Sequence, residues 1–150
     1  MKKILTAIFL TALLLSCSSD DEGTPRYTFD QKIEAETFSL YTPEGWSLIR
    51  ERGDDTYVGR ITNDKLTIYF DQGFLAFRDL SDIEKTSETI FLHELEINGV
   101  PAVIEKTYRP DADTRLSVYL QDGDRKNRLY VLDSNDDDFF IQIFKTHIFK

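Results

Sequence analysis

The sequence has one cysteine, one tryptophan and two histidines in 150 residues, and each scarcity closes off a class of protein. A lone thiol cannot form an intrachain disulfide, so stability has to come from packing a core. The only histidines, His93 and His147, leave a thin inventory for acid–base or metal chemistry. No serine lies in Gly-x-Ser-x-Gly and no glycine loop is built to cradle phosphate, so neither a nucleophile elbow nor a P-loop is present. No apolar run reaches the roughly 20 residues that cross a bilayer as a helix. Positive charge is also short: 18 basic residues stand against 27 acidic ones, a net charge of −9. Such a chain repels phosphate backbones, which excludes nucleic acid as a partner, and its acidity reads as solubility and spacing from an anionic surface.

What is present begins with Lys2 and Lys3, an apolar run from Ile4 to Leu15 broken only by Thr6 and Thr11, and then the sole cysteine, Cys17. A positive start and a short apolar stretch are the parts of a secretory signal. Leu14-Leu15-Ser16-Cys17 resembles the lipobox of bacterial lipoproteins. That resemblance implies a diacylglycerol on the Cys17 sulfur, cleavage before it and acylation of the new amino terminus. One acyl chain binds a membrane marginally and two or more hold firmly, since each buried CH₂ contributes ~0.8 kcal/mol. Residues 1–16 are therefore expected to be a signal peptide and residues 17–26 a flexible lipidated tether, polar and small enough to resist packing. Ser18, Ser19, Asp20, Asp21 and Glu22 follow the cysteine directly and resemble the Bacteroidetes signal that sends lipoproteins to the outer leaflet of the outer membrane.

Residues 27–150 are expected to form one globular domain. Tyr27 to Glu36 reads as a lead-in or edge strand. Short alternating runs then follow, separated by turn residues, at 38–42, 46–52, 57–62, 66–70, 89–97, 100–108, 116–120 and 129–132. Pro43-Glu44-Gly45, Gly53-Asp54-Asp55 and Asn63-Asp64 supply turn chemistry. Asn98-Gly99 between two strand runs is the strongest hairpin signal, and it sets Ile97 opposite Val100, Leu95 opposite Ala102 and His93 opposite Ile104. Ser81 with Glu84 three residues on has the spacing of a capping box and predicts a short helix. Asp136, Asp137 and Asp138 precede apolar residues at helical spacing, predicting a helix to about Lys145 and a closing strand over 146–149.

The residues that could carry chemistry divide into three sets. Asp133, Asn135 and Asp137 place oxygens at alternating positions as a calcium loop begins, yet Asp138 stands where an EF-hand takes glycine and Phe144 where it takes glutamate. An EF-hand is excluded, and a solvated turn with a helix cap is the favoured reading. Trp46, Phe74 and Phe77 could line a ligand groove, with core packing the favoured alternative. His93 points away from Glu94 and Glu96 in a strand and reads as a partly buried core histidine. No catalytic set, metal or cofactor is expected.

Phe38 to Trp46, the Asn98-Gly99-Val100-Pro101-Ala102 hairpin and Ile143 to Phe149 together resemble the Mog1/PsbP-like group, which includes small bacterial lipoproteins. The resemblance implies an α+β fold, mainly antiparallel sheet built from hairpins with a few short helices, and a role as an accessory or binding domain. The expectation is thus a non-enzymatic envelope lipoprotein on the outer membrane, exposed to the cell surface, tied to the membrane by its lipid and engaging an envelope protein. Capture of small ligands or glycans is the alternative, and hydrolysis a distant third.

Overall fold

The computed structural model describes residues 27–51, 53, 56–73, 76–108 and 114–150. Cys17, the Ser18 to Glu22 stretch and the expected leader lie outside the described residues. The elements run β1 (Gln31–Glu34), β2 (Phe38–Thr42), β3 (Ser47–Glu51), β4 (Tyr57–Thr62), β5 (Thr67–Gln72), β6 (Thr89–Ile97), β7 (Val100–Thr107), β8 (Arg115–Asp122), β9 (Arg125–Leu132), α1 (Asp137–Phe144) and β10 (Ile148–Phe149). Seven strands form one antiparallel sheet in the order β3-β4-β5-β9-β8-β7-β6, and β1, β2 and β10 form a smaller one. Strand dominates, with a single α-helix among the described residues.

Local chemistry accounts for most of these elements. Asn98 and Gly99 have φ of 52° and 79°, as a type I′ turn requires. The β6–β7 register follows from it, with Ile97 opposite Val100, Leu95 opposite Ala102 and His93 opposite Ile104. At the β4–β5 turn Asn63 Oδ1 accepts from the Leu66 N–H at 2.8 Å while Asp64 takes φ of 68°. Gly59 in β4 is required by close packing, because a Cβ there would meet the Ile49 carbonyl at 2.5 Å and the Phe70 ring at 2.6 Å.

The core lies on one face of the large sheet. Ile61, Ile68, Leu116, Val118 and Leu129 point into it, and Phe38, Leu40, Ile143 and Phe144 of the small sheet and α1 close over them. Each such side chain contributes about 1.5–3 kcal/mol by leaving water. Gln31 ties the two sheets together: its Nε2 donates to the Trp46 carbonyl at 2.7 Å and its Oε1 accepts from the Trp46 N–H at 3.1 Å. Among the described residues the other face is covered only in part, where Ala76, Phe77, Leu80 and Ile83 pack on Leu92, Val103 and Tyr119.

Two local expectations are corrected. The turn near residue 81 is a 3₁₀ segment, Leu80–Asp82, capped by Asp79, whose Oδ1 accepts from the Ser81 N–H at 3.2 Å. An acceptor two residues ahead of Ser81 captures the N–H first, and Ile83 is already extended. His93 is exposed, tilted against Phe91, because β6 is an edge strand. α1 forms as read: Asp136 caps it by accepting from the Phe139 N–H at 3.2 Å, and Lys145 is the C-cap. β10 returns to β2, placing Phe149 opposite Phe38.

Candidate functional site

The aromatic candidates belong to the interior. Trp46 is 2% exposed, with its ring centroid 6.3 Å from that of Phe139. Phe77 is 8% exposed, edge-on to Tyr119 at 5.5 Å and under the Lys126 ammonium at 5.4 Å. Phe74 lies outside the described residues. Trp46 and Phe77 therefore do not line an open groove, since each covers strand surface that would otherwise meet water.

The oxygen-bearing loop is shared out among structural duties. Asp133 has φ of 50°, and its carboxylate accepts from the Thr114 N–H at 3.2 Å. Asp137 accepts from Lys106 Nζ at 2.6 Å, a half-buried ion pair at the positive end of α1. Asn135 is exposed. Among the described residues no three or more His, Cys, Asp or Glu side chains are grouped to hold a metal ion.

His147, which the sequence does not single out, is the buried histidine. It is 1% exposed, stacked on Phe38 at 5.2 Å and edge-on to Phe149 at 4.7 Å. Its Nε2 lies 2.9 Å from Asn127 Nδ2, and Nδ1 has no partner. Burial lowers its pKa to about 4, so it is neutral at physiological pH and braces the core.

Two surface features remain. One is a cleft of about 590 Å³ between the end of β9 and the start of α1, lined by Leu66, Tyr69, Leu132, Ser134, Asn135 and Phe139 among others. Leu66 and Leu132 are 41% and 43% exposed. Tyr27, where the described chain begins, donates its hydroxyl to Asp136 beside this cleft. Its ring packs edge-on to Phe139 at 4.9 Å.

The other is the part of the large sheet beyond the Phe77 patch, among the described residues. Alternation along β9 turns Arg128 and Tyr130 outward, and the register sets Tyr69 of β5 beside Tyr130. The two tyrosine rings stack at 5.2 Å with planes 18° apart. The Arg128 guanidinium lies 4.7 Å from the Tyr130 ring centroid and that of Arg115, from β8, lies 5.5 Å away. Arg60 stands across from Tyr69 on β4. Four strands thus assemble a platform of two stacked phenols and three guanidinium groups on an acidic protein. Its signal in the sequence was the spacing of two between Arg128 and Tyr130, which puts both on one face; the contributions of β4, β5 and β8 depend on strand order.

No family model matches the sequence, and no curated protein matches it. Among solved structures it is similar to the solution structure of the cyanobacterial PsbP, CyanoP, from Synechocystis sp. PCC 6803. The TM-score is 0.57 at 10% identity, over 80% of this chain and 92% of that one. At that identity the likeness is one of fold. The described residues of this chain accordingly adopt a PsbP-like fold.

Proposed function

We propose that the chain is a lipid-anchored lipoprotein of the bacterial outer membrane, whose PsbP-like domain is a non-enzymatic accessory that binds an envelope protein. The observation that carries this reading is the half-covered sheet. Among the described residues, the small sheet and α1 cover one face, while the other leaves Tyr69, Tyr130, Arg115 and Arg128 half-exposed beyond the Phe77 patch. Aromatic rings and arginine are the side chains that protein interfaces favour. The Leu-Leu-Ser-Cys motif at 14–17 and the acidic run after it support the anchor and its outward direction.

Two measurements test the reading. Mass spectrometry of the native product should find Cys17 acylated at its sulfur and amino terminus, and an unmodified thiol or a retained leader would refute the anchor. Photo-crosslinking in intact cells, with the reactive group placed in turn at several exposed positions, should return one specific protein. Its failure at every position refutes the accessory role. A second reading, capture of a small ligand or glycan, draws support from the cleft beside α1, whose apolar rim is open to solvent. Saturation of a Leu132→Glu-sensitive site by an envelope glycan would favour it instead.

A further inference from the structure

Two arginines of the open sheet face differ from their neighbour Arg60, which pairs with Glu51 at 3.5 Å, and from other described arginines. Arg50 lies over Tyr57 and Arg125 over Phe149, but each also has its own carboxylate, Glu36 for Arg50 and Asp122 for Arg125. Arg115 and Arg128 share one ring, Tyr130, and neither forms an ion pair among the described residues. Asp71 is opposite Arg128 in register, yet its buried Oδ1 has no hydrogen-bond partner. Two cations held against one ring repel each other unless an anion joins them, and with the Nε of each buried and without a hydrogen-bond partner, a carboxylate would be taken by the Nη donors.

We propose that this platform is the docking surface for an acidic, extended protein segment, whose carboxylates are taken by Arg115 and Arg128 while its backbone lies over the Tyr69–Tyr130 pair. This rests on the accessory reading and names the chemistry of the partner. The complementarity is local. The same face carries Asp71 beside Arg128, Glu105 on β7, and Glu51, Glu94 and Glu96 toward its margins, so a broad anionic surface such as a membrane or a polyphosphate meets repulsion, whereas a narrow strand of peptide reaches the guanidinium groups between.

The test uses the full chain as its host produces it, in detergent, with a fluorescent ten-residue Glu/Ser peptide as probe and anisotropy as readout. The peptide should bind, weaken several-fold between low and physiological salt, and lose at least tenfold in affinity to the double variant R115Q/R128Q at unchanged melting temperature. R115K/R128K, which keeps the charge and loses the fork, should fall between. A Gln/Ser peptide should not bind. Absence of binding, binding indifferent to both double variants, or arginine-dependent binding to anionic-lipid vesicles in place of the peptide would each overturn the proposal. Should photo-crosslinks form from Tyr41 on the small sheet and not from Tyr69, the accessory role survives and this docking surface does not.

Discussion

His147 makes the stability of the domain depend on pH in a window that its other perturbed groups do not share. In the fold the imidazole is held neutral, with a pKa lowered from 6.5 to about 4 by burial between Phe38 and Phe149. In the unfolded chain it takes up a proton at its ordinary value. Above pH 6.5 neither state is protonated and the fold keeps its full stability. As pH falls from 6.5 towards 4 only the unfolded chain gains a proton, so stability declines at up to ~1.4 kcal/mol per pH unit, about 3 kcal/mol in all. With a urea m-value of roughly 1–3 kcal/mol/M for a domain of this size, the midpoint should drop by at least about 1 M. Glu34 and Asp79 act elsewhere: their carboxyls are held below the usual range, by Lys150 and Lys32 in the first case and by the Ser81 N–H in the second. Their contributions are present above their ordinary pKa values and lost below them. The assay is urea unfolding at pH 7.5, 6, 5 and 4.5 for the natural chain and for His147→Gln, which keeps an amide near Asn127 and cannot take up a proton. The variant should start less stable at pH 7.5 and hold its midpoint nearly level to pH 5. Parallel curves for the two proteins across that interval would refute the assignment.

Two further substitutions probe the fold. Gly59→Ala places a methyl against the Ile49 carbonyl and the Phe70 ring and should cost about 2 kcal/mol or more, read as a lowered melting temperature. Asn98→Ala loses the left-handed preference of the turn and the amide donations to the Lys145 and His147 carbonyls, about 2 kcal/mol together. Asn98→Gly keeps the turn and should lose about half as much in the same melt, so equal losses would show that the turn contributes nothing.

What could be read from the sequence was local, and what could not was a matter of strand order. Phe38 to Thr42 and Tyr57 to Thr62 announce themselves by alternation, and Asn98-Gly99 fixes a whole register, because these signals act over a few residues. The pairing of β5 with β9 joins Tyr69 to Tyr130 across some sixty residues of chain, and no short-range pattern encodes it. The arginine–tyrosine platform inherits that invisibility, since it exists only once that pairing is made. Trp46 and Phe77 look alike in composition whether they face solvent or core, and only the packing of Phe139 and Tyr119 against them decides. His147 was passed over because its neighbours in sequence are ordinary; Phe38 and Asn127, which define it, come from distant strands.

The bidentate clasp of Gln31 on Trp46 bears on how the domain answers a pull. An anchor at the amino terminus, as proposed, would deliver its load first to Tyr27 and β1, a four-residue edge strand of the smaller sheet. Because that strand is bonded to the entrance of β3, tension is handed on to the large sheet before β1 can peel away alone. Were the proposed anchor present, those two bonds would couple the first strand to the larger sheet, so that a pull at the amino terminus loads both sheets together.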